Sequence, residues 1–269
     1  AVLPSNPFRR HVLRRLPYTG AAVGDLLRRL NVIPHSPNKV QRLTDAASAS
    51  DEEKQLLHAE NRLQWAVAES GTMDVLSVSD GSVVMGGVPA PPSVWKPHFV
   101  VVAPEDFIAE SARFAAMSPW PATPGAAPVE VERGVTYGAA AVCTWAGEIP
   151  DLEDPGQPGS VVAVSAGPAA CSHTAESAGV MATLLSWVSR LDDGVRAKLD
   201  VPHFGLFLDA RSFLQELAVG PLDVKEVMPA EAWKILLEGI LPRAIVTLAF
   251  LFAHCDFAVH DVADDAAAQ

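Results

Sequence analysis

The chain has 269 residues, of which 49% are hydrophobic and 19% are charged. This length predicts one large domain or two small ones, and the hydrophobic content excludes an intrinsically disordered protein. The three cysteines are too few and too scattered for a disulfide scaffold or a four-thiolate metal site, which indicates an intracellular, reducing compartment.

Positive charge is concentrated at the start of the chain. Residues 1–42 carry a net charge of +7, which leaves −19 for the remainder because the whole chain carries −12. This asymmetry predicts a segment that binds an anionic partner. The partner is a phosphate backbone, an acidic patch on a neighbouring subunit or an anionic membrane, unless the segment is an Arg-rich targeting sequence. The arginines predicted to bind a polyanion are Arg9, Arg10, Arg14, Arg15, Arg28 and Arg29.

Residues 1–47 are predicted to form a basic helical arm. Apolar side chains recur at helical spacing over residues 7–16 and again over residues 21–30, with Arg pairs on the other faces. Both helices are therefore expected to be amphipathic and basic.

The core, residues 48–269, is predicted to begin with a helix over residues 48–69. Ser50 and Glu53 have the spacing of a capping box, in which each side chain bonds the backbone N–H of the other residue. Acidic residues in the first turn support the same start.

Strand patterns follow this helix. Residues 74–79 and 82–85 flank Asp80-Gly81, a dipeptide typical of a two-residue hairpin turn. Proline and glycine punctuate two long loops, residues 118–128 and 148–159. The other predicted elements in this region are a strand over 98–103, a helix over 104–117, paired strands over 129–137 and 139–145, and a strand over 160–165.

The C-terminal third is predicted to be helical. The expected helices cover residues 174–191, 209–219 and 229–254, the last kinked at Gly239 and Pro242, and an acidic, solvated tail covers 261–269. The most apolar stretch, residues 244–253, is shorter than the roughly 20 residues that span a bilayer, so no membrane span is predicted. The fold class is α+β, helix-rich with a small mixed or antiparallel sheet and long Pro/Gly loops.

A serine pattern lies between a predicted strand and a predicted helix. The pentapeptide Ala-Val-Ser-Ala-Gly around Ser165 approximates the G-x-S-x-G nucleophile elbow, with Asp209 or Asp256 and then His260 available downstream to complete a triad. The first glycine is replaced by alanine, and the helix begins only near Thr174. Ser165 is therefore predicted not to be catalytic.

Other reactive side chains have simpler structural interpretations. Cys171 and His173 are close in sequence, and a polar loop that caps the next helix is the favoured interpretation. The densest group of potential metal ligands is His254, Cys255, Asp256 and His260. Adjacent helical positions point about 100° apart, so buried histidine and cysteine at a helix end are favoured over a metal site. No pair of carboxylates has a spacing that indicates acid/base catalysis, and the sequence predicts no catalytic residue, metal or cofactor.

The Ala-, Val-, Pro- and Gly-rich composition and the segment Thr-Leu-Ala-Phe-Leu-Phe-Ala-His-Cys-Asp over residues 247–256 resemble the coat proteins of fungal double-stranded RNA viruses of the totivirus kind. Those coats are far longer, so the chain would be a fragment or a cleaved part of one. The resemblance implies an α+β, largely helical shell protein that assembles around RNA and is located in the virion.

Two functional hypotheses follow. The first is a non-enzymatic structural subunit of a large assembly, a viral capsid-type shell protein that contacts copies of itself or sibling subunits, and RNA through the basic arm. The second is a serine hydrolase that uses Ser165 with a downstream Asp and His260. The absence of a specific catalytic motif favours the first.

Overall fold

Helices and a six-stranded mixed sheet form an α+β fold in the computed structural model of the chain. The structure describes residues 20–34, 49–69, 73–85, 136–147, 150–151, 154–168, 171–192, 201–221, 223–224 and 226–267. The elements predicted for residues 7–16, 98–103 and 104–117, and the loop 118–128, lie outside these ranges.

The described residues form six α-helices and six strands. The helices are α1 (Gly20–Leu27), α2 (Asp51–Glu69), α3 (Ser172–Asp192), α4 (Arg211–Ala218), α5 (Val227–Ile235) and α6 (Ala258–Ala267), with a π-helical turn over Leu236–Ile240 after α5. The strands are β1 (Leu30–Ile33), β2 (Val75–Met85), β3 (Thr136–Ala146), β4 (Ser160–Pro168), β5 (His203–Leu208) and β6 (Ile245–Phe250).

The sheet changes character at β2. Its strand order is β1-β6-β5-β2-β3-β4; β2, β3 and β4 are antiparallel neighbours, whereas β5 is parallel to β2, β6 to β5 and β1 to β6. The long strand β2 pairs with β5 only up to Ser79 opposite Leu208. The residues that follow this pair are Asp80 in β2 and Asp209 after β5, and both lie beside the carboxyl end of β5. The strand order reverses at this place, and open α/β sheets bind ligands at such places.

Helices cover both faces of the sheet. On one face α3, α4 and α5 enclose a core in which Trp187 stacks on Phe204 with ring centroids 5.1 Å apart. On the other face α2 and α6 enclose a second core, in which Trp65 stacks on Phe207 at 4.5 Å. Phe204 and Phe207 lie on opposite faces of β5 because side chains alternate along a strand.

The predicted capping box of α2 is confirmed. The Ser50 N–H donates to Glu53 Oε2 at 2.8 Å, and the Glu53 N–H donates to Ser50 Oγ at 3.3 Å. These hydrogen bonds lower the pKa of Glu53. The helix therefore begins where local sequence chemistry indicates.

The predicted hairpin at Asp80-Gly81 is wrong, because β2 continues through both residues. Gly81 allows α3 to pack closely on β2, because a Cβ atom at this position would lie 2.4 Å from the backbone nitrogen of Glu176 in α3. The predicted break at Gly138 is wrong as well, since β3 is one strand through that residue and pairs with both β2 and β4.

The predicted long kinked helix over residues 229–254 is also wrong. Helical structure stops at Ile240, Pro242 lies in a turn, and the apolar run that follows is strand β6, an inner strand of the sheet between β1 and β5. A parallel strand buried on both faces is apolar at every position, so its sequence does not show the period of two that distinguishes strands from helices. Among the described residues, no helix is both long and apolar enough to cross a membrane.

The predicted solvated tail over residues 261–269 is helix α6 up to Ala267. Ala263, Ala266 and Ala267 are buried in the second core, while Asp265 is exposed. Small alanine side chains allow α6 to lie close to the sheet, and the acidic residues take its other faces.

Phe250→Ala is expected to lower the free energy of unfolding by about 3 to 5 kcal/mol, because truncating a buried aromatic leaves a cavity. Phe250 is 7% exposed and packs edge to face on Phe252. Urea denaturation measures the effect, with Val219→Ala, at a position that is 57% exposed, as the control. Equal midpoints for the two variants would contradict a core role for β6.

Candidate active site

Four carboxylates and one imidazole converge at the carboxyl end of β5. Asp209 directly follows β5, and Asp80 lies beside it on β2 because Ser79 is paired with Leu208. From the helices, Glu176 comes from the first turns of α3, and His260 and Asp264 come from α6. We call Asp80, Glu176, Asp209, His260 and Asp264 the acidic cluster.

The centre of the acidic cluster is narrow. One side-chain ligand atom from each of Asp80, Asp209 and His260 lies within 4.8 Å of the other two. His260 Nε2 is 3.9 Å from Asp80 Oδ1. Asp80 is 4% exposed and His260 is fully buried, whereas Asp209 is partly exposed although its Oδ1 atom is buried.

Close packing of α3 on β2 places Glu176 beside Gly81. The Gly81 N–H donates to Glu176 Oε1 at 3.0 Å, and the missing side chain of Gly81 lets the helix backbone approach that near. Gly179 continues the contact, since a Cβ on it would meet Ala140 and Ser79 at 3.2 and 3.3 Å. Glu176 Oε2 is buried and has no hydrogen-bond partner in the described structure.

The electrostatics of the acidic cluster are dominated by burial and by like charges. Burial, and then the charges of Asp209 and Asp80, raise the pKa of Glu176 to about 11. Burial, and then the charges of Asp209 and Asp264, raise the pKa of Asp80 well above its ordinary value. The groups that act most strongly on both carboxyls are thus other acids, and a bound cation would favour their ionised forms.

A second histidine lies at the edge of the acidic cluster. His254 Nδ1 is 3.2 Å from Asp264 Oδ2, and the side chains are 51% and 33% exposed. His254 and Asp256 both have positive φ angles, 54° and 56°, in the loop between β6 and α6. Histidine and aspartate adopt this left-handed conformation more readily than most residues other than glycine, so the two angles define the path of the loop.

The acidic cluster has the composition of a site for a hard divalent cation. Carboxylate oxygens are the ligands that Mg²⁺, Mn²⁺ and Ca²⁺ prefer. The unpartnered, buried Oε2 of Glu176 and the unpartnered Oδ1 of Asp209 are available as ligands without breaking a described hydrogen bond. The residues therefore fit one cation or a pair of them.

The structure does not place Ser165 at this site. Ser165 lies within β4, which continues to Pro168, and not on a strand-to-helix turn. Strand β3 separates β4 from β2, and two strand spacings are about 10 Å. Two residues considered as triad partners, Asp209 and His260, instead belong to the acidic cluster.

The remaining sequence candidates separate in space. The Cys171 thiol contacts Thr174 Oγ1 at 3.2 Å, and His173 Nδ1 contacts Ser212 Oγ at 3.2 Å, so the thiol and the imidazole are not paired. Of the group around residues 254–256, Cys255 is buried against Asn61. His260 lies one helical turn before Asp264, facing the acidic cluster, and no helix ends at residues 254–256 as the sequence interpretation assumed.

The basic arm is described only in part. Arg28 forms an exposed ion pair with Asp25, and Arg29 donates to the carbonyl oxygens of Leu241 and Pro242. Strand β1 of this segment joins the sheet beside β6. The other arginines predicted to bind a polyanion, Arg9, Arg10, Arg14 and Arg15, lie outside the described residues.

Sequence reasoning missed the site roles of Asp80, Glu176 and Asp264. Two signals were present: an aspartate directly after each of two apolar strands, and the pair His260 and Asp264 four residues apart on one helix face. Neither signal specifies that these segments meet.

Comparison with known proteins identifies no family for the chain. No protein-family model and no curated protein matches it. One solved structure that matches is the N-terminal RNase H domain of Rv2228c from Mycobacterium tuberculosis, studied as a fusion with maltose-binding protein. The match has 11% sequence identity, covers 71% of this chain and 93% of that chain, and has a TM-score of 0.33.

Proposed function

We propose that the chain is a hydrolase that requires a divalent cation and cleaves phosphodiester bonds in a nucleic acid strand. The observation that carries this proposal is the acidic cluster, in which four carboxylates from four segments act on one another and the buried Oε2 of Glu176 has no hydrogen-bond partner in the described structure. Buried structural carboxylates are normally paired with a cationic side chain, so buried carboxylates that face mainly other acids indicate a ligand-binding role.

The carboxylates would hold the cation. Asp80 and Asp209 are central because their ligand atoms lie within 4.8 Å of each other and of His260. Glu176 and Asp264 flank them from the two helices that cover opposite faces of the sheet. When bound, a divalent cation supplies Lewis-acid activation of a phosphate ester and of the attacking water.

His254 is the group best placed to move a proton at the mouth of the site. Its imidazole is 51% exposed, and its Nδ1 is fixed by Asp264 at 3.2 Å, which leaves Nε2 free to face an incoming substrate or solvent. A carboxylate that orients one ring nitrogen in this way sets the proton-exchanging role of the other.

Charge supports a polyanionic substrate. Outside residues 1–42 the chain carries −19 and would repel a phosphate backbone, whereas the first 42 residues carry +7. A nucleic acid strand would then be attracted by the basic arm and by cations in the acidic cluster. Mg²⁺ in proteins is commonly shared between one or two carboxylates and substrate phosphates, which agrees with this substrate class.

The test is cleavage of fluorophore-labelled single-stranded RNA, single-stranded DNA, double-stranded RNA and an RNA/DNA hybrid. We expect cleavage of at least one of them with Mg²⁺ or Mn²⁺ and none with EDTA. Asp209→Asn should remove the activity, while Asp265→Asn, which changes an exposed carboxylate next to the acidic cluster, should retain it. Cleavage that persists in EDTA or in Asp209→Asn would contradict the proposal.

The two sequence-based hypotheses make different predictions in the same assays. A shell subunit predicts a large assembly by light scattering and no cleavage of any substrate. A serine hydrolase predicts activity in EDTA that is lost in Ser165→Ala. Both hypotheses remain predictions, and neither gives a role to Asp80, Glu176 or Asp264.

A further inference from the structure

His260 is an imidazole inside a cluster of oxygen ligands, and the proposed function leaves it without a role. It is fully buried, and neither of its ring nitrogens has a hydrogen-bond partner in the described structure. Its Nε2 points at the narrow centre of the acidic cluster, 3.9 Å from Asp80 Oδ1.

A structural role does not account for this environment. His203 is the other buried histidine among the described residues. Its Nε2 lies 2.9 Å from Thr247 Oγ1, as expected for a polar group in a core. His260 lacks such a partner, although it occupies a helix that packs tightly on the sheet. A buried nitrogen without a hydrogen bond is costly unless something binds it.

We propose that His260 is a direct ligand of the cation together with Asp80 and Asp209, and that this nitrogen makes the site prefer Mn²⁺ to Mg²⁺. The inference rests on the proposed function, since it concerns the same cation. The ligand atoms of the three residues lie within 4.8 Å of one another. In an octahedral site with bonds of about 2.1 Å, adjacent ligands are about 3 Å apart and opposite ligands about 4.2 Å, so the three side chains would move closer together when the ion binds.

The preference follows from ligand chemistry. Mg²⁺ favours a near-ideal octahedron of oxygens and gives up its water ligands reluctantly. Imidazole nitrogen suits first-row transition metals, and Mn²⁺ accepts both carboxylate oxygen and imidazole nitrogen. Burial of His260 lowers the pKa of its imidazole, which favours the neutral form that binds metals.

The experiment measures nitrogen coordination to Mn²⁺ directly. The full chain is loaded with Mn²⁺, and electron spin-echo envelope modulation detects ¹⁴N coupling to the bound ion. We expect this coupling in the wild type and in His254→Gln, which removes the other imidazole near the site, and its loss in His260→Asn. Calorimetry should show that His260→Asn weakens Mn²⁺ binding by about ten- to a hundredfold and changes Mg²⁺ binding much less.

The outcomes separate this inference from the function it rests on. Wild-type protein that binds Mn²⁺ without ¹⁴N coupling would overturn the role of His260 and leave the hydrolase proposal standing. The same conclusion follows if the coupling is lost in His254→Gln and kept in His260→Asn. Failure of both Mn²⁺ and Mg²⁺ to bind the wild type would overturn both. Because the wild-type spectrum and His254→Gln are informative alone, the test holds even where His260→Asn does not fold.

Discussion

Asp80→Asn is expected to reduce cation-dependent cleavage by about a thousandfold, because a central ligand is worth several kcal/mol of charge stabilisation in the transition state. The same change should stabilise the protein in EDTA. Asp80 is 4% exposed, and burial, followed by the charges of Asp209 and Asp264, raises the pKa of its carboxyl. A neutral amide of similar shape avoids the cost of burying or protonating this acid on folding. A loss of cleavage together with a gain in the free energy of unfolding would distinguish a ligand-binding cluster from a structural one.

In EDTA, the free energy of unfolding is expected to fall as pH rises. Glu176 has a folded pKa raised to about 11 from an ordinary 4.5, so the folded state holds a proton that the unfolded state releases. Stability should therefore fall as pH rises from about 5 towards 9, by about 1.4 kcal/mol per pH unit for each such group. Glu176→Gln should make the dependence of the free energy of unfolding on pH less steep, by about 1.4 kcal/mol per pH unit.

Urea denaturation at pH 6, 7 and 8 in EDTA measures that slope, and saturating Mn²⁺ should flatten it because the cation holds the carboxylates in their ionised forms. Asp265→Asn is the matched control on the surface of α6 and should leave the slope unchanged. A wild-type stability that rises with pH over this range in EDTA would contradict the electrostatic account of the acidic cluster.

Local chemistry explains which elements could be predicted from the sequence. The start of α2 depends on Ser50 and Glu53, three residues apart, and both partners are visible in the sequence. The helices α3 and α4 likewise follow from apolar periodicity and lie within about two residues of their predicted ends. The α+β class was accessible because it depends on such local patterns.

The errors occur where distant contacts decide the structure. Asp80-Gly81 has the local pattern of a turn, but the approach of α3 requires the glycine, and β3 and β5 hold the residues on either side in a strand. Strand β6 is apolar on both faces because helices cover both faces, which no window of its own sequence reveals. The acidic cluster could not be predicted for the same reason, since its members are far apart in the sequence. Only the pairing of β2 with β5 and the docking of two helices bring them together.

Gly81→Ala is expected to reduce cleavage by about a hundredfold while the protein still folds. The added Cβ would lie 2.4 Å from Glu176 N and 2.7 Å from Ala175 C, and both are backbone atoms that a rotamer change cannot move. Helix α3 must therefore shift away from β2, at a cost of about 1 to 3 kcal/mol for overpacking. The shift carries Glu176 with it, and a displacement of about 1 Å of a positioned group costs about a hundredfold in rate.

Gly24→Ala is the matched control, since a Cβ at that helical position meets no atom within 4 Å. It should keep full activity and match or slightly exceed the wild type in thermal unfolding, because alanine is the better helix former. The Mn²⁺ dissociation constant of Gly81→Ala should rise together with the loss of cleavage, since both depend on where Glu176 lies. If Gly81→Ala retained wild-type cleavage and Mn²⁺ affinity, the packing of α3 on β2 would not position Glu176, and the acidic cluster would have to work through the remaining three carboxylates and His260.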